Sequence, residues 1–308
     1  MDKNATSVSV IVPTFRRPDG LRRAVESVLA QTRQPDQLVI VDNDPAGSAA
    51  RVAATAKALA RCEVLYIHEP QPGVSNARNA GFAAATGRYI AFLDDDEIAG
   101  IGWLDALLGT AQRLEATVVF GPLEGEALEV TGIRADLARR LYSRVGPRQD
   151  ALLDKPFGCG NSLIDRAAFD LADKPFDPRM NASGGEDDVF FALLARQGAR
   201  FAWSAEAFGT ETVDASRTQW RYLLARSFAF GQGATQSCSR GDHVNWPGVA
   251  FWMGIGLAQT LIYGSLAGLS SFAMRRRAAE FLDRCVQGAG KFFWIEAFEP
   301  RFYGQVEG

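Results

Sequence analysis

Only two histidines, His68 and His243, occur in the 308 residues, and they supply neither a metal pair nor a catalytic dyad. Cysteine is equally sparse. Cys62, Cys159, Cys238 and Cys285 are widely separated and form no C-x-x-C pair, so spacing suggests neither a zinc site nor a disulfide framework, and a reducing compartment fits best. Positive charge is not in excess: the formal net charge is -3, which gives no general electrostatic reason for a nucleic acid partner. No glycine-rich phosphate loop follows the first apolar run, which continues as Thr14-Phe15-Arg16-Arg17-Pro18 in place of G-x-G-x-x-G or G-x-x-x-x-G-K-[ST]. A dinucleotide oxidoreductase and a P-loop NTPase are therefore disfavoured. Residues 1–7 lack the basic, apolar and cleavable regions of a signal peptide, and the expectation is a catalytic part that stays in the cytoplasm.

What is present is the composition of a globular enzyme, 47% hydrophobic and 22% charged. Short apolar runs at 8–12, 38–41, 64–67, 89–93 and 117–120 alternate with amphipathic segments at 21–30, 49–59, 76–85 and 103–114. That rhythm predicts an α/β doubly wound core, a mainly parallel sheet with helices on both faces. The second half loses the rhythm, with one strand expected at 161–164 and a helix beginning near Glu186. From Val244 to Met274 no charged residue occurs, and Arg275, Arg276 and Arg277 follow at once.

In an open parallel sheet, ligands bind beyond the carboxyl ends of the strands. Three clusters stand there: Pro13 and Thr14, Asp42 and Asn43, and the run Asp94-Asp95-Asp96-Glu97. Four adjacent carboxylates repel one another unless a cation compensates, and hard oxygen ligands favour Mg²⁺ or Mn²⁺ bridged to substrate phosphates. The alternative is an acidic turn capping the next helix. Arg78 is a candidate for phosphate neutralisation, with a surface ion pair as its alternative. A second acidic group, Gly184-Gly185-Glu186-Asp187-Asp188, opens a later helix; Asp187 is the candidate general base for an acceptor hydroxyl, and helix capping is the competing reading.

Taken in order, Ile11-Val12-Pro13-Thr14-Phe15-Arg16, Val41-Asp42-Asn43, Ala77-Arg78-Asn79-Ala80-Gly81, the stretch 89–97 and Gly185-Glu186-Asp187-Asp188 resemble the signature of the family 2 glycosyltransferases. The resemblance covers about residues 7–230. It implies a GT-A fold, a nucleotide-sugar donor, most readily a UDP-sugar, a divalent metal held by Asp94 and Asp96 as the D-x-D motif, and inversion by a single displacement. It also implies that Pro13, Thr14 and Asp42 lie at the nucleoside, that Arg78 and Asp95 help hold the donor, and that Asp187 is the base. Glu186, Glu211 and Arg217 would line the acceptor side or the diphosphate.

Two departures narrow this. Asp42-Asn43-Asp44-Pro45 stands where Asp-Asp-Gly-Ser is common, and Gln219-Trp220-Arg221-Tyr222 does not have the spacing of Gln-x-x-Arg-Trp. Addition of one sugar is favoured over processive synthesis. The nearest likeness is to bacterial transferases that build exopolysaccharide repeat units on a lipid carrier, which implies a glycan or polyprenyl-linked glycan acceptor. The expected organisation is a GT-A domain at 7–235, split into a nucleotide-sugar half at 7–121 and an acceptor half at 122–235, followed by a membrane-associated helical tail at 236–308. The uncharged run exceeds the ~20 residues of a bilayer crossing. A crossing would carry the three arginines outside, against the positive-inside rule, so a helix dipping into the cytoplasmic leaflet of the inner membrane is preferred, with a buried helix of a soluble dimer as the alternative. Rival functions are a nucleotidyltransferase and a non-catalytic membrane-bound assembly partner.

Overall fold

The computed structural model describes residues 6–181, 185–239, 243–270 and 275–300; Gly184 and Met274, named above, lie outside them. The chain forms two compact units. One contains residues up to Glu124 together with Arg144–Glu211, and the other contains Gly125–Ser143 and Thr212–Phe302. Residue 235 lies inside one helix of the second unit.

In the first unit the strands are β1 (Val8–Thr14), β2 (Gln37–Asp42), β3 (Glu63–His68), β4 (Tyr89–Phe92) and β5 (Glu97–Ala99), with helices α1 (Pro18–Leu29), α2 (Ala50–Leu59), α3 (Val74–Ala84) and α4 (Trp103–Arg113) between or after them. Next come β6 (Val118–Phe120) and β7 (Leu123–Glu126), then α5 (Ile133–Tyr142) of the second unit, and β8 (Ala151–Leu153), β9 (Ser162–Asp165), α6 (Glu186–Arg196), β10 (Phe201–Trp203) and β11 (Gly209–Thr212). The large sheet runs β3-β2-β1-β4-β9-β6-β10-β8, and a small one runs β5-β11-β7.

β1 and β2 are buried along their whole length, as expected of strands covered on both faces. Side-chain alternation sorts their residues. Val8, Val10, Val12, Leu38 and Ile40 join α1, α2 and α4 in one core, whereas Ile11, Val39 and Val41 join α3 and α6 in another. The expected parallel β/α core is therefore present, with pairs β1–β2, β2–β3 and β1–β4 all parallel.

One feature differs from the sequence expectation. β9 is wedged between β4 and β6, antiparallel to both, because after β6 the chain travels through α5 and re-enters the sheet from the opposite end.

The second unit is helical: α5, α7 (Trp220–Ser239), α8 (Trp246–Ser270) and α9 (Arg275–Phe292). Asp283 on α9 is 2% exposed and accepts from Arg140 Nε of α5 (2.6 Å) and Ser227 Oγ of α7 (2.7 Å), which ties the three helices together. α8 packs on α9 where Gly256 and Gly288 meet, and a Cβ on Gly256 would stand 2.6 Å from the Gly288 carbonyl. Its other face leaves Phe251, Ile255, Leu261, Ile262 and Leu269 exposed.

Candidate active site

The strand order places a switch point between β1 and β4: the chain first builds outward through β2 and β3, then returns to the other side of β1. Ligands bind at such points. β1 pairs with β4 only as far as Ile11, although it follows β2 to Thr14. Pro13, which has no N–H to give, thus lies in the part of the strand that has outrun its β4 neighbour. Beyond it, Thr14 Oγ1 donates to Asp95 Oδ2 at 2.7 Å and spans the gap.

The acidic run is not a helix cap, because Glu97 opens strand β5. Each carboxylate has its own environment. Arg17 Nη1 bonds both Asp95 Oδ1 (3.2 Å) and Asp96 Oδ2 (2.8 Å), and the first turn of α1 comes close at Gly20, where a Cβ would stand 2.6 Å from the Asp95 carbonyl oxygen. Burial, reinforced by Asp96, pushes the Asp95 carboxyl up to about 6 even though Arg17 and Thr14 pull it down. Asp94 faces Arg78 Nη2 at 3.3 Å.

Arg78 is the hinge between the two acidic clusters. It projects from the start of α3, is 5% exposed, and bonds Glu186 through Nη1 as well as Asp94. Burial opposes its charge, but Cys159, Asp94, Glu186 and Asp187 together hold it above its ordinary value. Burial also raises the Glu186 carboxyl, more than Arg78 lowers it. The surface ion pair considered for Arg78 is thereby replaced by a buried one. Glu186, Asp187 and Asp188 do occupy the first turn of α6, as helix capping would have them, yet Glu186 reaches Arg78 and Asp187 joins the same charge cluster. A Cβ on Gly158 would stand 3.0 Å from Asp187 Oδ2.

Several members of this cluster carried no signal in the sequence. Arg144 donates to the carbonyls of Gly158 (3.2 Å), Gly160 (2.6 Å) and Asn161 (3.3 Å) and so clamps the loop that follows Phe157. Asn161, at φ 45°, then holds Pro122 and Ala207 through its amide and accepts from Trp103 Nε1. That clamp sets Gly160 against the acids, with no room for a side chain: a Cβ there would stand 2.9 Å from Asp94 Oδ2 and closer still to Glu97. Arg17, Arg144 and Gly160 are joined to their partners only by folding, and only the closeness of Arg17 to Thr14 hinted at any of them.

Two expected residues sit differently from the rest. Asp42 is fully buried, and its carboxylate accepts from Ala49 N (2.7 Å), Asp44 N (3.1 Å) and Tyr66 Oη (3.0 Å). It shapes the loop after β2. Arg217 belongs to the second unit, in the 3-10 turn Ala215–Thr218, whereas Glu211 lies in the first, opposite Glu97 in the β5–β11 pairing.

Among the described residues, no three acidic, histidine or cysteine side chains converge as a preformed metal cage. Asp94 and Asp96 face two different guanidinium groups instead. Two carboxylates alone do not complete a cation's oxygen shell, and a hard cation at Asp94 and Asp96 would need further oxygen ligands from a bound molecule.

Glu97 gives a pH prediction. It is 3% exposed, and burial first and then Asp94 push its carboxyl well above the usual range, while Oε2 accepts from Asp94 N (3.1 Å) and Asn161 N (3.0 Å). The folded state therefore keeps a proton that the unfolded chain releases. The associated stability is present at low pH and lost as pH rises through the folded pKa. As pH falls from neutral toward the usual carboxylate range the wild type should melt higher, and Glu97→Gln should show a flatter profile. A variant that melts lower at the alkaline end would show Glu97 to be ionised in the fold.

Beside the β1–β4 switch point of this α/β sheet stand the carboxylates of Asp94, Asp95 and Asp96, the buried Arg78 and the acidic start of α6. Residues 9–171 match the family described as "Glycosyl transferase family 2", and the chain belongs to that family. It is similar to the succinoglycan biosynthesis protein ExoM of Rhizobium meliloti, 31% identical over 235 residues that make up 75% of each chain. A pre-mycofactocin glycosyltransferase of Mycobacterium tuberculosis is 28% identical over 95% of this chain, which spans 63% of that relative. The S. aureus TarS 1-349 crystal structure aligns over 92% of this chain and 90% of its own, with a TM-score of 0.49 and 14% identity.

Proposed function

We propose that this glycosyltransferase moves one sugar from a nucleotide diphosphate sugar, a UDP-sugar first of all, to the hydroxyl of a lipid-linked glycan in cell-surface polysaccharide synthesis. The observation that carries the reading is the meeting of Asp94, Arg78, Glu186 and Asp187 in one charge cluster beside the β1–β4 switch point. The similarity to a succinoglycan biosynthesis protein supports the polysaccharide assignment. Residues 7–121 form the donor half, 122–235 the acceptor half and 236–308 the membrane tail.

In this reading the acceptor oxygen attacks the anomeric carbon on the face opposite the nucleoside diphosphate. As that bond forms, the bond to the diphosphate oxygen breaks, and Asp187 takes the hydroxyl proton. One displacement inverts the configuration. Arg78 faces the charge that grows on the departing diphosphate, in a buried setting where electrostatic stabilisation is strong. Asp94 and Asp96 would hold Mg²⁺ or Mn²⁺, which supplies further neutralisation of that leaving group. Thr14 holds Asp95 in place beneath the donor. A screen of nucleotide sugars should find one whose turnover needs a divalent cation and releases nucleoside diphosphate; Asp96→Asn should lose both. Release of pyrophosphate would mark a nucleotidyltransferase, and cation-independent turnover unchanged in Asp96→Asn would end the metal assignment.

The second unit fits a place at the cytoplasmic face of the inner membrane. α8 is long and apolar enough to cross a bilayer, but α9 lies along it carrying Asp283, Arg284 and Lys291. Taking α9 through hydrocarbon would be costly. α8 is therefore proposed to dip its exposed face into one leaflet, with the exposed Arg276 and Arg277 at anionic headgroups. Leu261→Asp combined with Ile262→Asp should abolish flotation with phosphatidylglycerol vesicles while donor binding persists. Flotation equal to wild type would remove α8 from the membrane.

A further inference from the structure

Three arginines of the second unit are matched with acids. Arg139 pairs with Asp136, Arg140 with Asp283 and Arg284 with Glu280. Arg226 on α7 has no such match: among the described residues it makes no ion pair or hydrogen bond, and its Nε is buried. Its guanidinium is stacked between the rings of Tyr142 (4.5 Å) and Phe230 (5.3 Å). Tyr142, on α5, is 4% exposed, and its hydroxyl is likewise buried without a hydrogen bond of good geometry, although Tyr222 stands beside it. Burial raises the phenol; Arg226 and Arg217 pull it down, and Tyr222 pushes it up.

A buried guanidinium N–H and a buried hydroxyl that lacks a well-aligned hydrogen bond are each costly unless something accepts their hydrogens. Arg226 Nε and the Tyr142 hydroxyl can both donate, and Arg217 brings a second cation to Tyr142, an arrangement that suits an anionic acceptor. Arg presents a planar fork that suits phosphate oxygens. Phe230 is 54% exposed, so the cluster reaches the surface on the side of an apolar ring, and the same unit carries the exposed apolar face of α8. A phosphate borne on an apolar chain satisfies both halves of this surface.

We infer that Arg226 and Tyr142, with Arg217 and Tyr222 beside them, bind the phosphate of an amphiphile through the unit formed by α5 and α7–α9. The inference rests on the lipid-linked acceptor reading above for one of its two sources, an isoprenyl diphosphate; the other is the headgroup of an anionic phospholipid.

The test uses the full chain, with farnesyl diphosphate, phosphatidylglycerol vesicles, inorganic pyrophosphate and UDP as separate probes, against wild type, Arg226→Gln and Tyr142→Phe. Arg226→Gln should weaken binding of at least one of the two lipids by about 10- to 100-fold, and Tyr142→Phe by a smaller factor, while UDP affinity stays unchanged. Loss confined to farnesyl diphosphate assigns the site to the acceptor, and loss confined to the vesicles assigns it to the headgroup. Removing an idle buried hydroxyl should stabilise the fold, so Tyr142→Phe with a raised melting temperature and undiminished lipid binding would overturn the proposal. So would a wild type that binds neither lipid, or one that binds pyrophosphate as tightly as farnesyl diphosphate. Failure of wild type to bind any UDP-sugar would count instead against the transferase reading, whose donor residues lie in the other unit.

Discussion

Asp187→Asn is expected to lower sugar transfer by about 10²-fold or more while nucleotide-sugar affinity stays unchanged. The substitution keeps the size of the side chain and most of its hydrogen bonding but removes the ability to take a proton. Proton removal from the acceptor matters only as the glycosidic bond forms, so its loss belongs to the transition state and not to donor binding. Asp187 stands in the first turn of α6, next to Glu186, and its Oδ1 accepts from Asp188 N at 2.9 Å. That bond orients one oxygen and leaves Oδ2 toward Gly158, where a Cβ would lie 3.0 Å from it. Calorimetry for the donor and a transfer rate on one preparation decide the matter. If donor affinity fell in proportion to the rate, Asp187 would be a donor-side or structural residue, and the base would have to be sought at Glu186 or Asp188.

Arg78→Met should do more damage to the fold and a different kind of damage to function. It leaves Glu186, 6% exposed, and Asp94 without their cation. Removing one partner of a buried ion pair costs about 3–5 kcal/mol, which corresponds to a melting temperature lower by on the order of 10 °C. Donor affinity should fall by about tenfold or more, because a charge-assisted contact to phosphate is lost. A second variant separates the two effects. Arg78→Met with Glu186→Gln removes the stranded buried charge, so stability should recover in part, but donor affinity should not return. A double variant that regained donor binding along with its stability would make Arg78 a structural residue only.

The burial of Glu186 sharpens this test. Its carboxyl is already raised by burial in the presence of Arg78. Without the guanidinium it rises further, and the folded state then gains protons relative to the unfolded chain. The deficit of Arg78→Met should accordingly shrink as pH falls toward about 5 and widen toward about 8, the sign required when the folded form binds the extra proton.

Much of the first unit was legible before folding. Strands covered on both faces read as unbroken apolar runs, and their alternation with amphipathic segments gives a doubly wound sheet with few alternatives. Strand ends follow directly from that reading, and Thr14, Asp42 and Asp94 to Asp96 stand at or just beyond them. β9 was read as a strand but not as an antiparallel wedge, because its short run carries no mark of direction.

The site itself divides along the same line. Sequence fixes residue types, the order of segments and which positions close a strand, because backbone periodicity and solvent exclusion act over a few neighbours at a time. That was sufficient for an acidic run and an acidic helix start, and for an arginine of undecided role between them. Only the tertiary structure decided that Arg78 joins the two acidic groups, that Asp42 is consumed by Ala49, Asp44 and Tyr66, that Arg144 holds the loop which brings Gly160 against Asp94 and Glu97, and that Arg226 meets no acid among the described residues. The physical reason is that charge pairing and burial depend on distance in space, and for residues tens of positions apart that distance is set by strand order and helix packing, which local sequence does not encode.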